Sequence, residues 1–298
     1  PLLANGIGPG DAVLTTPFTY IATAEVISLV GATPIFIDIY PSTFNMNPSE
    51  ISKGVDFAVK RNLTPKAIIP VDLFGLPARY RLINEEDKKF NLLTIEDSAQ
   101  GFGGRIGDRK AGSFCDISAT SFFPAKPLGC YGDGGAIFTD DDQIAEIMRS
   151  VRIHGGGKNK YDNVRLGING RLDTFQAAVI LEKLEIFPQE VIRRNSIANY
   201  YSSNLPSNLL APFVPKNYHS VWAQFSVLAE SNEHRRSIMD FLASKKIPSM
   251  IYYPIPLHLQ KVFKNLDYKE GDFPISENIA ERIFSLPMHP YMSENEID

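Results

Sequence analysis

Short apolar runs alternate with helical patterns along this 298-residue chain, and that order limits the folds open to it. Runs with the length of a buried strand recur in the first hundred residues, at 12–15, 34–39, 67–71 and 92–95. Helical patterns separate several of these runs, for example at 22–30 and 79–88. Because parallel strands need crossover connections, strands that alternate with helices predict an α/β fold with a mainly parallel sheet.

The second half of the chain predicts a smaller unit that follows a long helix. Residues 173–205 are strongly helical. Beyond them, residues 220–227 alternate as a strand and residues 235–244 carry a helical pattern. We therefore expect a large α/β domain over residues 1–189 and a smaller α+β domain over residues 190–298.

One lysine stands almost alone in a glycine-rich loop that follows a strand-like run. Between Cys115 and Thr139 the only charged residues are Asp116, Lys126 and Asp133. Burial in a near-neutral pocket disfavours the charged amine, which suits a lysine that loses its proton and forms a Schiff base. The alternative is a lysine that extends to solvent from a strand end.

A carboxylate at another strand end supports the reactive interpretation of Lys126. The buried run 92–95 ends in Glu96 and Asp97, and ligands of open α/β sheets bind outside the carboxyl ends of strands. Pyridoxal phosphate (PLP) needs a lysine for its aldehyde and a carboxylate that keeps its ring nitrogen protonated. Asp97 and Lys126 together therefore predict a PLP site, although Asp97 alone is equally typical of a helix N-cap.

Four segments resemble, in the same order, the DegT/DnrJ/EryC1/StrS family of PLP-dependent aminotransferases in nucleotide-sugar biosynthesis. They lie at residues 17–24, 95–100, 121–126 and 167–178. The resemblance covers essentially the whole chain and implies the fold of type I PLP-dependent aminotransferases. Within the family, the chain is most similar to enzymes that aminate C3 of UDP-2-acetamido-2-deoxy-3-oxo-glucuronate on the way to bacterial O-antigen. That similarity rests on residues 126–138, 183–187 and 285–291.

The resemblance also implies roles for further residues around the cofactor. Ser121 corresponds to a serine that binds the cofactor phosphate, Gln100 to a glutamine near the ring hydroxyl, and Tyr20 to an aromatic ring over the pyridine face. Asn169 corresponds to an asparagine that reaches the phosphate of the neighbouring subunit, which implies a homodimer with a composite active site. By residue type alone, Ser121 also suits a hydroxyl at a strand end and Gln100 a polar group at a helix start. Tyr20 also suits an aromatic residue of the core, and Asn169 a turn.

For the substrates, the resemblance implies L-glutamate as amino donor and a UDP-keto-sugar as acceptor. Arg171 corresponds to a substrate-binding arginine, whose paired donors suit the hexuronate carboxylate or the UDP; the alternative is a surface ion pair with Asp173. Tyr253 corresponds to a tyrosine that reaches the substrate from the partner subunit. Tyr252 stands where the uronate enzymes usually carry histidine, so C4-amination of a 4-keto-6-deoxy nucleotide sugar stays open as an alternative.

Composition excludes several other classes of protein. The net charge of −4 without a basic run argues against nucleic acid as a partner. No apolar stretch is long enough to span a bilayer, and no signal peptide is visible, so we expect no membrane association. Cys115 and Cys130 lack the spacing of a metal site, and two cysteines suit a reducing cytoplasm.

Both ends of the chain differ from the family pattern. The resemblance implies residues before Pro1, including a Gly-Thr pair at a helix N-terminus that binds the cofactor phosphate, and a last helix after Asp298. We therefore expect a chain truncated at both ends, with a non-catalytic relative as the alternative. Retention of Asp97 and Lys126 favours the enzyme. The family's sugar dehydratases carry histidine in place of the lysine, so Lys126 argues against that activity.

Overall fold

The computed structural model describes residues 1–159 and 161–298, and a six-stranded sheet is the largest sheet in that part of the chain. The strands, in chain order, are β1 (Asp11–Thr15), β2 (Thr33–Phe36), β3 (Thr64–Ile68), β4 (Leu93–Asp97), β5 (Arg105–Ile106), β6 (Arg109–Lys110), β7 (Ile117–Ser121), β8 (Gly135–Thr139), β9 (Tyr218–His219), β10 (Phe225–Leu228) and β11 (Ile283–Leu286). The large sheet has the order β2-β1-β3-β4-β7-β8.

Four of the five pairings in the large sheet are parallel, which confirms the predicted sheet type. The exception is β8, which runs antiparallel to β7. In the pairing of β4 with β7, Asp97 lies opposite Ala119. The carboxyl ends of these two neighbouring strands therefore meet at one edge of the sheet, where ligands of such folds bind.

Helices cover the large sheet on both faces. In chain order they are α1 (Ala22–Leu29), α2 (Ile51–Lys60), α3 (Tyr80–Phe90), α4 (Asp142–Arg152), α5 (Thr174–Asn204), α6 (Asn232–Ser244), α7 (Pro274–Arg282) and α8 (Glu294–Ile297). Successive residues of a strand point to opposite faces. Leu14 of β1 accordingly packs with Ile51 of α2, whereas its neighbour Val13 packs with Ile27 of α1.

Helix α5 links the first half of the chain to the second. Asp173 caps its N-terminus by accepting a hydrogen bond from Phe175 N at 2.8 Å. The helix continues through Pro188, which removes one backbone donor without ending it. The expected domain boundary at residues 189 and 190 falls inside α5, and the division into two domains stays a prediction.

Two small sheets complete the fold. Strands β10 and β11 pair antiparallel, and β5 pairs with both β6 and β9. Strand β10 is shorter than the predicted strand at 220–227, because Val221 N binds the carbonyl of Gly75 instead of a sheet partner. Short 3-10 turns lie at Leu3–Asn5, Pro48–Glu50, Leu73–Gly75, Leu257–Leu259 and Lys261–Leu266. No helix among residues 1–159 and 161–298 is long and apolar enough to cross a membrane.

Candidate active site

Lys126 and Asp97 lie at the edge where β4 and β7 end. Asp97 is the last residue of β4, and Lys126 follows β7 in a turn in which its backbone N–H binds the carbonyl of Phe123 at 2.8 Å. Burial lowers the pKa of the Lys126 amine, and the negative charge of Asp97 opposes that shift. The two side chains therefore interact electrostatically, and burial biases Lys126 towards the neutral amine that attacks a carbonyl group.

Two donors hold the carboxylate of Asp97. Its Oδ2 accepts from the Thr23 hydroxyl at 2.7 Å, and its Oδ1 accepts from Ala99 N at 3.1 Å. Burial raises the pKa of Asp97, whereas the Thr23 hydroxyl, the Ala99 N–H and the charge of Lys126 lower it. Asp97 thus caps the turn after β4, as its residue type suggested, and also places a carboxylate beside the lysine.

Gln100 joins two distant segments at the same edge. Its Oε1 accepts from Phe74 N at 2.7 Å, and its Nε2 donates to the Tyr253 hydroxyl at 2.9 Å. Burial raises the pKa of Tyr253, so the phenol stays neutral. Gln100 is itself buried in a turn, so it is a structural bridge to Tyr253 rather than a helix-start polar group.

Aromatic rings surround the Tyr253 side chain. Its ring centroid lies 6.2 Å from that of Phe18, 6.4 Å from that of Tyr20 and 5.9 Å from that of Tyr252. Tyr20 is 57% exposed, which excludes the core-filling role that is common for tyrosine. Its ring is therefore free to contact a ligand at the sheet edge.

Comparison with known proteins identifies the family. A profile of the DegT/DnrJ/EryC1/StrS aminotransferase family matches residues 1–298. The chain belongs to this family. It is 41% identical over 293 residues to the UDP-2-acetamido-2-deoxy-3-oxo-D-glucuronate aminotransferase of Pseudomonas aeruginosa, covering 97% of this chain and 77% of the relative. It is 39% identical over 299 residues to the UDP-N-acetyl-3-dehydro-alpha-D-glucosamine 3-aminotransferase of Acidithiobacillus ferrooxidans, covering 99% of this chain and 77% of that relative.

A solved structure agrees with the family assignment. The DegT/DnrJ/EryC1/StrS aminotransferase from Brucella abortus superposes with a TM-score of 0.95 at 49% identity, covering 100% of this chain and 79% of that protein. Similar solved proteins contain PLP or pyridoxamine phosphate, and the family is PLP-dependent. The protein is therefore a PLP-dependent sugar aminotransferase with the type I fold, as the sequence predicted.

The residues of this DegT-family chain fit the cofactor. The donor set combines an amine that burial biases to the neutral form with a carboxylate held by two donors. An aldehyde and a protonated ring nitrogen require that pair. Lys126 and Asp97 thus have the chemistry to hold PLP, and the exposed ring of Tyr20 lies nearby through its contact with Tyr253.

Three other predicted site residues form hydrogen bonds with partners other than Asp97, Lys126 and Gln100. Ser121 ends β7, and its Oγ accepts from Phe123 N at 3.2 Å, as a strand-end hydroxyl does. Asn169 and Arg171 are exposed, and Arg171 Nε donates to Asn169 Oδ1 at 3.1 Å. Among residues 1–159 and 161–298, Arg171 forms no ion pair with Asp173.

Helix α5 anchors the loop that carries Lys126, through residues that sequence reasoning did not assign. Lys183 Nζ donates to the carbonyl of Gly129 at 2.6 Å, and Tyr131 N donates to Gln176 Oε1 at 2.8 Å. A Cβ at Gly129 would lie 2.6 Å from the carbonyl oxygen of Pro124, so the turn requires glycine there. No sequence signal separates Lys183 from the surface lysines that are typical of helices.

Sequence reasoning also missed Thr23 and two buried acids, Asp72 and Glu96, near Asp97. Thr23 lies in the first turn of α1, and its contact with Asp97 joins residues 74 positions apart. Asp72 directly follows the apolar run 67–71, so the strand-end rule that selected Asp97 also selects it.

Proposed function

We propose that this protein transfers the amino group of L-glutamate to C3 of a UDP-2-acetamido-2-deoxy-3-oxo-hexuronate, with Lys126 and Asp97 as the residues that hold PLP. The observation that carries the proposal is that Asp97 ends β4 and Lys126 lies in the loop after the neighbouring parallel strand β7, at the same edge of the sheet. A lone lysine at a strand end has many uses, whereas this pair in a DegT-family chain has one.

In this proposal each side chain has a defined task. PLP supplies the electron sink that makes the substrate C–H bond acidic. Lys126 would hold the cofactor through its Nζ atom and, when that amine is free, would carry a proton from and to the substrate Cα. Asp97 carries the negative charge that keeps the ring nitrogen protonated. The donors Thr23 and Ala99 favour the ionised form of that carboxylate, against burial, which raises its pKa.

Further residues bind the remaining parts of the cofactor. Ser121 would donate to the phosphate, since it ends β7 five residues before Lys126. Gln100 would face the ring hydroxyl, and the exposed ring of Tyr20 would stack on the pyridine face. These roles follow from the family resemblance together with the side chains' shared edge of the sheet.

The substrate assignment is supported by the two relatives described above. Both are named for UDP-sugars, and both names state a keto group at C3. Arg171 would bind the hexuronate carboxylate through paired N–H donors, and Tyr253 and Tyr252 would line the sugar site. A product of this type suits the biosynthesis of bacterial O-antigen or another surface polysaccharide, with the enzyme in the cytoplasm.

A homodimer with a composite active site belongs to the same proposal. Apolar side chains near Asn169 and on α5 are exposed in the single chain: Leu166 by 92%, and Phe175 and Leu181 by 65% each. Large exposed apolar patches mark protein interfaces. A second copy on this face would bury those residues and would bring its Asn169 and Arg171 towards the cofactor of the first chain.

A substrate panel tests the sugar specificity. The enzyme would be supplied with PLP, L-glutamate and one of three acceptors: the UDP-3-keto-hexuronate, the UDP-3-keto sugar without the carboxylate, and a dTDP-4-keto-6-deoxy sugar. We expect amination of the uronate to exceed that of the other two in kcat/KM. Preference for the 4-keto sugar would replace the proposal with C4-amination, which the tyrosine at position 252 keeps as the second candidate.

Arg171 offers a matched variant for the same panel. Arg171→Gln removes the paired donors, so the kcat/KM for the uronate should fall on the order of tenfold or more. The acceptor without the carboxylate should lose much less. An equal loss on both acceptors would assign Arg171 to the UDP instead.

A further inference from the structure

Two further carboxyl groups, those of Asp72 and Glu96, are buried near Asp97, the candidate cofactor carboxylate. Asp72 follows β3, Glu96 is the penultimate residue of β4, and both are 0% exposed. Because side chains alternate along a strand, Glu96 points to the face opposite its neighbour Asp97. The function proposed above assigns no role to either buried acid.

The hydrogen-bond donors around the pair are distributed unequally. Glu96 accepts at both oxygens, from Gly112 N at 2.6 Å and from Phe114 N at 3.0 Å. Asp72 accepts twice at Oδ1, from Ala78 N at 2.9 Å and from the Tyr80 hydroxyl at 2.6 Å. The other oxygen of Asp72, Oδ2, is buried and has no donor in the described part of the chain.

The titratable groups that the described part of the chain places against the pair are an acid, two phenols and a thiol. The titratable groups that face the two acids are Tyr80 on α3, Asp97 on β4, Cys115 before β7 and Tyr218 on β9. Across residues 1–159 and 161–298, no salt bridge reaches Asp72 or Glu96. Two buried carboxylates without a cation strongly disfavour being ionised together.

A single proton on Oδ2 of Asp72 gives this oxygen a hydrogen to donate and removes one of the two buried negative charges. The side chains of Asp72 and Glu96 interact with each other, and Oδ2 of Asp72 is the buried oxygen that lacks a donor in the described part of the chain. Burial raises the pKa of Asp72, and the negative charge of Glu96 raises it further. Burial also raises the pKa of Glu96, but its two backbone donors oppose that shift. The proton therefore belongs to Asp72, which donates to the Glu96 carboxylate.

Asp72 also holds the backbone of Asp97. Its N–H donates to the carbonyl of Asp97 at 3.0 Å, and Asp97 N donates to the carbonyl of Pro70 at 2.9 Å. The turn after β4 packs against Asp72 so closely that a Cβ at Gly101 would lie 2.4 Å from Asp72 Cβ. The end of β4 therefore meets the backbone of Asp72, and the turn that follows β4 meets its side chain.

We propose that Asp72 is a positioning residue for Asp97: as a neutral acid it donates to the Glu96 carboxylate and so fixes the end of β4 beneath the Asp97 side chain. The shared proton of Asp72 and Glu96 does not depend on the proposed function. The positioning role does, because it assumes that Asp97 holds the cofactor. The change that isolates the neutral acid is Asp72→Asn, since asparagine keeps an acceptor for Ala78 and Tyr80 and an N–H donor for Glu96.

The first test compares urea unfolding of the full chain and its variants at one protein concentration, without cofactor, from pH 5.5 to 8.5. A raised pKa means that folded Asp72 holds a proton which the unfolded chain releases, so this stabilisation is lost as pH rises. The unfolding constant of the native protein should therefore rise relative to Asp72→Asn, by up to about tenfold per pH unit. Asp72→Ala and Glu96→Gln should be destabilised throughout, because each leaves buried groups unpaired.

Two results would overturn the shared proton on Asp72. One is that Asp72→Asn is as unstable as Asp72→Ala, with a pH-independent ratio to the native protein. The other is that Glu96→Gln is tolerated while Asp72→Asn is not, which would put the proton on Glu96. If Asp72→Ala fails to fold, the comparison of Asp72→Asn with the native protein still decides.

The second test addresses positioning, by titration with PLP at pH 7.5. Asp72→Ala should weaken binding on the order of tenfold, and Asp72→Asn should restore most of that loss. If Asp72→Ala binds PLP as the native protein does, Asp72 contributes to stability alone and the positioning role is refuted. Failure of the native chain to bind PLP would instead refute the proposed function, and the unfolding comparison would keep its meaning.

Discussion

The side chain of Gln100 donates to the hydroxyl of Tyr253 at 2.9 Å and so joins residues 153 positions apart in the chain. The same side chain accepts from Phe74 N at 2.7 Å. Gln100 therefore fixes the position of Tyr253 relative to the end of β4, where Asp97 lies. The loop of Tyr253 is in this way joined by hydrogen bonds to the turn that follows Asp97 and to the segment at Phe74.

Removal of the Tyr253 hydroxyl should expose that coupling. Tyr253→Phe leaves the buried Nε2 of Gln100 without its acceptor, which we expect to lower the free energy of unfolding by about 1–2 kcal/mol. Tyr252→Phe serves as control, because the Tyr252 hydroxyl has no hydrogen bond among the described residues. A double-mutant cycle with Gln100→Ala in urea should give a coupling energy of about 1 kcal/mol. Strictly additive effects would mean that the bond adds nothing.

Thr23 should tune the charge of Asp97. Thr23→Val removes the hydroxyl that stabilises the carboxylate, so the pKa of Asp97 rises above its already raised value. A larger fraction of Asp97 is then protonated at lower pH, and PLP binding should weaken on the order of tenfold at pH 6 but less at pH 8. Thr23→Ser keeps the donor and should bind like the native protein. The same loss at both pH values would show that Thr23 acts by packing alone.

The pH dependence of Lys126 reactivity should report its burial. Burial lowers the pKa of Lys126 below the ordinary 10.5, so its neutral fraction rises at lower pH than that of a free lysine side chain. Acylation followed by peptide mass spectrometry across pH measures the inflection of Lys126. Asp97→Asn removes the attraction to the ammonium group and should shift the Lys126 inflection further down. An upward shift in that variant would contradict the electrostatic pairing.

Lys183 should stabilise the loop that carries Lys126. Lys183→Met removes the bond from Nζ to the carbonyl of Gly129, which we expect to cost about 1–2 kcal/mol of unfolding free energy because the donor is charged. Lys53→Met is the matched control, since its partner Glu50 is a surface residue and such pairs contribute about 0–1 kcal/mol. The urea midpoints of the two variants, each compared with that of the native protein, measure the two losses of stability. Equal, small shifts would leave Lys183 without a structural role.

The large sheet was predictable because its strands are apolar and helices separate them. The predicted runs overlap β1, β2, β3 and β4, and burial on both faces makes such strands continuous in hydrophobicity. Strand β8 escaped prediction because its pattern of exposed and half-buried residues lacks that signal. The strand predicted at 220–227 begins too early, because residues 221–223 are apolar but the backbone N–H groups of Val221 and Gln224 bind the carbonyls of Gly75 and Phe74.

The site was predictable where chemistry is local and unpredictable where contacts are distant. Lys126 and Asp97 were selected from the sequence because one follows a strand and the other ends one, and strand ends converge at one edge of a parallel sheet. The bonds from Thr23 to Asp97 and from Gln100 to Tyr253 depend on the folded arrangement of segments 74 and 153 residues apart. The sequence around a residue carries no signal of a hydrogen-bond partner that lies so far away in the chain.

The absorbance spectrum of the protein with PLP, before and after L-glutamate, tests the central role of Lys126. The native protein should show the visible band of a lysine-bound cofactor, and L-glutamate should convert it to the pyridoxamine form. Lys126→Ala should lack that band and lose transamination by about 1,000-fold or more, whereas Lys53→Ala should match the native protein. A Lys126→Ala variant with full transamination would refute the assignment.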